Sequence, residues 1–319
     1  MTSKGSEKMT ELSIGVDVSK AHLDAACFTT GREARFPNDA AGRKTLRRWI
    51  GPAERVARIV YEPTGRFHVG LEQALAGQPL VKVNPLRARR FTEACGARAK
   101  TDAIDARMLA RMGAQLALPP DPPVSEAMRE LRELQTARSG LVRDRIVQIQ
   151  RRDQATLPLL RRQATTSLRA VEQQRAAVEA EIAARIAADP GLAARRDILA
   201  SIPGFAPRSS ATLIVQMPEL GAASAKEVAA LAGLAPMTRQ SGQGRGKARV
   251  AGGRGDVRRA LYMPALSAIR HNPDMRRFYQ RLRAAGKPAK VAIVAVMRKL
   301  IVLANTLIAE QRPWAPRPF

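Results

Sequence analysis

A chain of 319 residues with 45% hydrophobic side chains is long enough for two or three domains with real cores. Its 54 Lys and Arg stand against 28 Asp and Glu, a formal charge of +26 that points to nucleic acid or another polyanion as partner. Two cysteines, Cys27 and Cys95, and three histidines, His22, His68 and His271, exclude a disulfide framework and a zinc-ligand pattern.

The start Met1-Thr2-Ser3-Lys4 lacks the apolar core of a signal peptide. The most apolar stretch, residues 291–308, carries Arg298-Lys299 in its middle and reads as a buried helix rather than a span. The expectation is a cytoplasmic bacterial protein, nucleoid-associated when acting, with no membrane partner. Aromatics make up only 4%, so stacking on an aromatic platform is not the expected mode of binding.

In chain order the pattern first alternates. Strands are expected at 12–16, 23–28, 56–61 and 80–83, with helices at 40–50, 67–76, 86–94 and 101–113. Strands interleaved with helices indicate an α/β domain with a mixed sheet over residues 10–120. Pro119-Pro120-Asp121-Pro122-Pro123 then excludes both helix and ladder, which marks a boundary.

Residues 124–190 are rich in Ala, Leu, Arg, Gln and Glu. Leu131, Leu134, Leu141, Ile146 and Ile149 recur at helical spacing, and Pro158 divides the run into two helices of a coiled-coil hairpin. Such an arm is either a spacer or a dimerisation element, and its apolar stripe favours the second. Residues 191–312 form a third, mainly helical segment. In it Ile202-Pro203-Gly204 resembles the turn of a helix-hairpin-helix, equally well a plain turn between helices. Charge concentrates here: residues 201–319 hold 20 basic and 5 acidic side chains.

Four carboxylates stand out against this basic background. Asp17 and Glu62 close apolar strands, and Asp102 and Asp105 share a helix face at spacing i,i+3. Hard oxygen ligands of this kind suit Mg²⁺ or Mn²⁺ held against a phosphate. Asp24 and Glu72 are assigned instead to strand and helix surfaces. A second constellation runs from Thr238 to Arg259, with six glycines and seven cations: Arg239, Arg245, Lys247, Arg249, Arg254, Arg258 and Arg259. It reads either as a flexible basic loop along phosphates or as the surroundings of a reactive Ser241, whose neighbouring guanidinium groups stabilise developing phosphoryl charge. The sequence Gly-x-x-x-x-Gly-Lys-Ser/Thr of nucleotide-hydrolysing loops is absent.

Ile14-Gly15-Val16-Asp17-Val18-Ser19-Lys20, Tyr61-Glu62-Pro63-Thr64-Gly65, Lys100-Thr101-Asp102-Ala103-Ile104-Asp105, Ile202-Pro203-Gly204, Leu231-Ala232-Gly233-Leu234-Ala235-Pro236, Gln240-Ser241-Gly242 and Arg258-Arg259-Ala260-Leu261-Tyr262 resemble the DEDD transposases. These are recombinases of the insertion-sequence family that uses a bridge RNA. The resemblance runs from Leu12 to Ile308 with its motifs in family order and leaves the first nine residues outside.

It implies a RuvC-like domain of ribonuclease-H fold, a coiled-coil insertion and a C-terminal transposase domain. It further implies Asp17, Glu62, Asp102 and Asp105 as metal ligands and Ser241 as the nucleophile joined to DNA. The implied partners are donor and target DNA, a structured guide RNA, and further copies of the chain, as a dimer assembling to a tetramer. A hydrolytic junction nuclease and a binding protein without catalysis are the rival readings.

Overall fold

The computed structural model describes residues 11–96, 102–237, 240–241, 244–245 and 249–316. Of Asp102, Ala103, Gln240, Ser241, Gly244 and Arg245 it describes the backbone alone. The chain divides into two compact units, Met1–Val124 and Ser125–Phe319.

In the first unit the strands are β1 (Leu12–Val18), β2 (His22–Cys27), β3 (Glu33–Pro37), β4 (Val56–Tyr61) and β5 (Leu80–Lys82). The helices are α1 (Ala40–Ile50), α2 (Val69–Ala74), α3 (Pro85–Ala94) and α4 (Asp102–Gln115). The five strands form one mixed sheet in the order β3-β2-β1-β4-β5. β1 is antiparallel to β2 and parallel to β4, and β5 is parallel to β4.

The alternation in Leu12-Ser13-Ile14-Gly15-Val16-Asp17-Val18 decides the two faces, because successive side chains of a strand point to opposite sides. Ile14, Val16 and Val18 enter a core with Leu46 and Ile50 of α1 and Leu71 of α2. Ser13 and Gly15 lie instead under α4. The Ser13 hydroxyl donates to the Ala110 carbonyl at 2.9 Å, and a Cβ on Gly15 would stand 2.1 Å from the Ala106 oxygen. On the same face Val60 packs with Leu109 and Met112. Helix and strand therefore touch backbone to backbone.

β3 goes beyond the sequence expectation. Its residues Glu33-Ala34-Arg35-Phe36-Pro37 bury only Phe36, so an edge strand this short and polar leaves little periodic signal. The proline segment, expected to stop all pairing, extends the opposite edge at one point. Asp121 is the one residue of Pro119–Pro123 with a backbone N–H. It donates to the Leu80 carbonyl at 2.7 Å, while its carboxylate accepts from the Lys82 N–H at 2.6 Å.

The second unit holds α5 (Glu126–Gln154), α6 (Pro158–Ala188), α7 (Pro190–Ser201), α8 (Pro207–Gln216), α9 (Ala225–Leu231), α10 (Gly255–His271), α11 (Pro273–Ala284) and α12 (Ala289–Ala309). Four two-residue strands lie between α9 and α10: β6 (Pro236–Met237), β7 (Gln240–Ser241), β8 (Gly244–Arg245) and β9 (Arg249–Val250). α5 begins where the Ser125 side chain accepts from the Met128 N–H at 3.2 Å. α5 and α6 run antiparallel, joined by Ala155-Thr156-Leu157, and ion pairs mark their register. Glu130 meets Arg185, Arg138 meets Glu179 at 2.9 Å, and Arg145 meets Glu172 at 3.0 Å.

The base of this hairpin is not a separate body. Leu131, Ile182 and Ile186 share one core with Leu199, Leu213, Leu261 and Leu300, so arm and C-terminal helices form a single unit. Among the described residues α12 is the one helix long and apolar enough to cross a membrane, and half of its apolar window is buried inside this unit. Asn305, on its buried side, accepts from Gly221 N–H at 2.8 Å and donates to the Ala223 carbonyl at 2.9 Å. The Ile202–Ala206 turn joins α7 to α8. Its Gly204 has φ +119°, and a Cβ there would meet the Pro264 carbonyl of α10 at 2.7 Å. Packing on α10 accounts for this glycine without any ligand.

Gly15→Val drives a branched side chain into the backbone of α4, and overpacking of this kind costs roughly 3 kcal/mol. A urea unfolding series on the purified chain will show an early transition of the first unit. An unchanged midpoint would mean that α4 does not lie on β1.

Candidate functional site

The acids are placed by the contact between β1 and α4. The sequence of approaches is Ser13 to Ala110, then Gly15 to Ala106 and Ala110, so the helix runs antiparallel to the strand. A strand rises about 3.3 Å per residue and a helix about 1.5 Å, so two residues along β1 correspond to about four back along α4. Moving from Gly15 to Asp17 therefore leads to the first turn of α4, where Asp102 and Asp105 stand. The parallel register pairs Val16 with Tyr61, which sets Asp17 beside Glu62 just past the end of β4.

Face follows from pleat. Asp17 shares its face with Ser13 and Gly15, and Glu62 shares its face with Val60 and Arg58, whose guanidinium donates to the Gly113 carbonyl of α4 at 2.8 Å. The backbone thus directs the ends of β1 and β4 and the first turn of α4 toward one end of one face. Asp17, Glu62 and Asp105 are each half-buried. Among the described residues no three Asp, Glu, His or Cys side chains stand close enough to hold a metal ion. The Asp102 side chain lies outside that description.

Asp24 is a correction. Expected on a surface, it is 6% exposed and lies directly across the ladder from Asp17. Arg35 of β3 closes it with two bonds, at 2.8 and 3.2 Å. The strand beginning at His22 gave no sign that β3 would supply this partner.

Glu72 is likewise not a free surface acid. Its carboxylate accepts from the Tyr61 hydroxyl at 2.5 Å and meets Lys82 Nζ at 2.6 Å and His68 Nε2 at 3.6 Å. Burial, the largest single influence, would raise the Glu72 pKa. Hydrogen bonds from Lys82 and Tyr61, with the charges of Lys82 and His68, together hold it below the usual value. Tyr61 packs with the α1 and α2 core, so this group lies across the sheet from Asp17 and Glu62.

In the second unit, the described residues of 236–250 pair in two tiers of a short ribbon. Pro236 and Met237 pair with Val250 and Arg249, and farther out Gln240 and Ser241 pair with Arg245 and Gly244. Ser241 thus ends the outer tier, opposite a glycine. Arg239 and Lys247 lie outside the described residues.

The base of the ribbon is clasped backbone to backbone. Gly233 and Gly253 have φ of +66° and +62°, and a Cβ on Gly253 would stand 2.2 Å from the Gly233 nitrogen. No other residue permits both the left-handed φ and this approach. Arg254 fixes the same corner. It forks onto Glu219 at 2.7 and 2.5 Å, donates to the Gln216 carbonyl at 2.7 Å, and its own N–H reaches the Leu231 carbonyl at 2.7 Å. Arg258 donates to the Gly233 and Gly252 carbonyls at 3.2 and 3.3 Å, and Arg259 pairs with Asp256. Arg249 is exposed on β9. Of the four cations whose side chains are described, Arg254 and Arg258 therefore build the scaffold, a distinction that charge counting along the chain does not make.

Two family models match this chain. The IS110-type DEDD transposase model covers residues 14–162, and that of the Transposase IS116/IS110/IS902 family covers residues 196–280. The pilin gene-inverting protein of Moraxella bovis is 30% identical over 97% of this chain and 99% of its own length. That of Moraxella lacunata is also 30% identical, over 97% and 99%. An uncharacterized 43.6 kDa protein of insertion element IS110 from Streptomyces coelicolor is 34% identical over 46% of this chain and 36% of its own.

These similarities define a DNA transposase or recombinase, an enzyme whose substrate is DNA. The chain belongs to the IS110 family of transposases.

Burial, the largest influence on Glu219, would raise its pKa, but the hydrogen bond and charge of Arg254 help to hold it below 4.5. A carboxyl depressed on folding adds stability above its unfolded pKa and loses it as pH falls through the folded value. Arg254→Ala removes the partner of a half-buried carboxylate and lowers stability by about 1–2 kcal/mol at neutral pH. The deficit against wild type, read from melting curves, shrinks below pH 4.5 as Glu219 takes up a proton. A deficit independent of pH would remove the charge pair as its cause.

Proposed function

We propose that this chain is an RNA-guided DNA recombinase of an insertion sequence. It exchanges strands through a covalent serine–DNA ester and uses a divalent-metal site on Asp17, Glu62, Asp102 and Asp105. The observation that carries the reading is the passage of α4 over Gly15, which sets the first turn of the helix beside the ends of β1 and β4. The mixed sheet order, with α4 on one face, supports the ribonuclease-H-like or RuvC-like assignment. An all-carboxylate donor set fits Mg²⁺ or Mn²⁺, in keeping with the metal dependence that DEDD membership suggests. Such an ion, when bound, supplies positive charge against a phosphate oxygen.

The chain's own residues perform the remaining steps. The Ser241 oxygen forms a bond to phosphorus while the bond from phosphorus to one deoxyribose oxygen breaks, and that oxygen leaves with a proton. A hydroxyl end of another strand then attacks the same phosphorus, and Ser241 departs with its proton restored. One phosphodiester is exchanged for another through an ester of similar energy, so no nucleotide hydrolysis is needed. The cations Arg239, Arg245, Lys247, Arg249 and Arg259 neutralise the phosphates, while Arg254 and Arg258 hold the base of the ribbon rigid.

Inversion of a gene, named as the work of the full-length relatives, requires cut strands to be rejoined. A bond-conserving exchange meets that need where hydrolysis does not. Donor and target DNA are chosen by pairing with a structured RNA, which the high positive charge suits. Two chains join as a dimer and dimers as a tetramer, so that the acids of one copy serve the serine of another.

The test is amplification across the junction of the excised circle, in a fresh host carrying the gene with its native flanking DNA. Wild type yields the junction, and Ser241→Ala and Asp102→Asn reduce it at least about a thousandfold, as loss of a reacting group does. Both variants keep nucleic-acid binding. A junction at wild-type level from Ser241→Ala would overturn the serine mechanism.

A further inference from the structure

Asn38 stands between the end of β3 at Pro37 and the N-cap of α1 at Asp39, whose side chain accepts from the Gly42 N–H at 2.7 Å. Its backbone N–H donates to the Ala21 carbonyl at 2.8 Å. Its side-chain nitrogen donates twice more, to the Ser19 carbonyl at 2.8 Å and to the Phe67 carbonyl at 3.3 Å. One amide therefore ties together two segments that are far apart in the chain.

The orientation of this amide is fixed from its other side. The Arg43 guanidinium donates to the Asn38 side-chain oxygen at 2.9 Å and to the Asn38 carbonyl at 3.0 Å, which leaves the nitrogen to face Ser19 and Phe67. Turned over, the amide would set its oxygen against two carbonyl oxygens and its N–H groups against a cation. Arg43 in turn has room because Gly70 lacks a side chain, where a Cβ would stand 2.8 Å from the guanidinium carbon.

The two tied segments are the exits of the strands that lead to Asp17 and Glu62. Ser19 lies two residues beyond Asp17, in the turn from β1 to β2, and Phe67 lies five beyond Glu62, in the loop from β4 to α2. The parallel register of β1 and β4 runs as far as Val16 with Tyr61, one residue short of each acid. Beyond that pair the ladder no longer spaces the two chains, and the Asn38 amide takes up that part. Spacing matters at such a place, because a small hard cation demands near-ideal ligand distances. Groups that orient ligands without touching the ion are commonly worth about 10–100-fold in metal affinity.

We propose that Asn38 is a positioning residue of the carboxylate site. By holding the Ser19 turn and the Phe67 loop at one spacing, it sets the separation of Asp17 and Glu62 before an ion arrives. The inference rests on the reading of these two acids as metal ligands and adds to it an uncharged residue from a different element.

The test is the affinity of the full chain for Mn²⁺ alone, read without nucleic acid from the electron paramagnetic resonance signal of the free ion. Asp105→Asn marks the part of the binding that belongs to the carboxylate site. Asn38→Ala removes both donors, and Asn38→Leu removes them at similar volume and serves where the alanine variant fails to fold. Each weakens Mn²⁺ binding at that site about three- to tenfold, the worth of one or two net hydrogen bonds. Arg47→Ala is the matched structural control. Arg47 also donates to two carbonyls, those of Ala74 at 2.7 Å and Ala76 at 3.2 Å at the far end of α2, and its loss leaves the Mn²⁺ affinity unchanged. Wild-type affinity in a folded Asn38 variant, or an equal loss in Arg47→Ala, overturns Asn38 as a positioning residue. Wild type that binds Mn²⁺ no better than Asp105→Asn is a different result, which overturns the metal ligands themselves and this inference with them.

Discussion

The first unit depends on one contact, the passage of α4 across Gly15. A helix usually rests on a sheet through interleaved side chains, at the roughly 10 Å spacing of packed layers. Here the absence of a side chain at Gly15 and the small hydroxyl of Ser13 let the helix backbone down onto the strand. That closeness brings the first turn of α4 to the ends of β1 and β4. A helix held a full side-chain layer away would carry its first turn farther from Asp17 and Glu62. The alternation that buries Ile14, Val16 and Val18 on one face is thus the same alternation that delivers Ser13, Gly15 and Asp17 to the other.

The second unit solves a related problem by the same means. The short strands between α9 and α10, which include Ser241 and Arg249, are anchored at one root. The root is a crossing of two glycine backbones, Gly233 with Gly253, locked by the fork of Arg254 on Glu219. The buried α12 supports this corner from below through Asn305, which holds the Gly221 turn. Cationic side chains therefore take two parts, some ending inside the scaffold and others facing outward.

Much of this was legible in the sequence because it follows from period and from proline. The strands ending in Asp17 and Glu62, the helix of Asp102 and Asp105, the division at Pro158 and the burial of residues 291–308 all rest on regular patterns over several residues. What escaped was decided by tertiary partners. β3 buries a single side chain and exists because β2 offers an edge, and Asp24 is buried because Arg35 on that strand neutralises it. Asp121 joins the sheet through the lone N–H among four prolines. Asn38 resembled any residue of a polar turn until the fold set Ser19 and Phe67 beside it. The Arg254 role depends on Glu219, 35 residues earlier, which no local pattern links to it.

The most direct measurement of the central claim is the chemical identity of the cut end. The full chain is incubated with its native element DNA and RNA transcribed from the same locus, denatured, and stripped of unbound DNA by nuclease. Its peptides are then mapped by mass spectrometry. The account predicts a deoxynucleotide phosphate on the peptide containing Ser241, attached at its side-chain oxygen. Cleaved DNA with no adducted peptide, or an adduct on any other residue, would contradict it and make water or a different side chain the nucleophile.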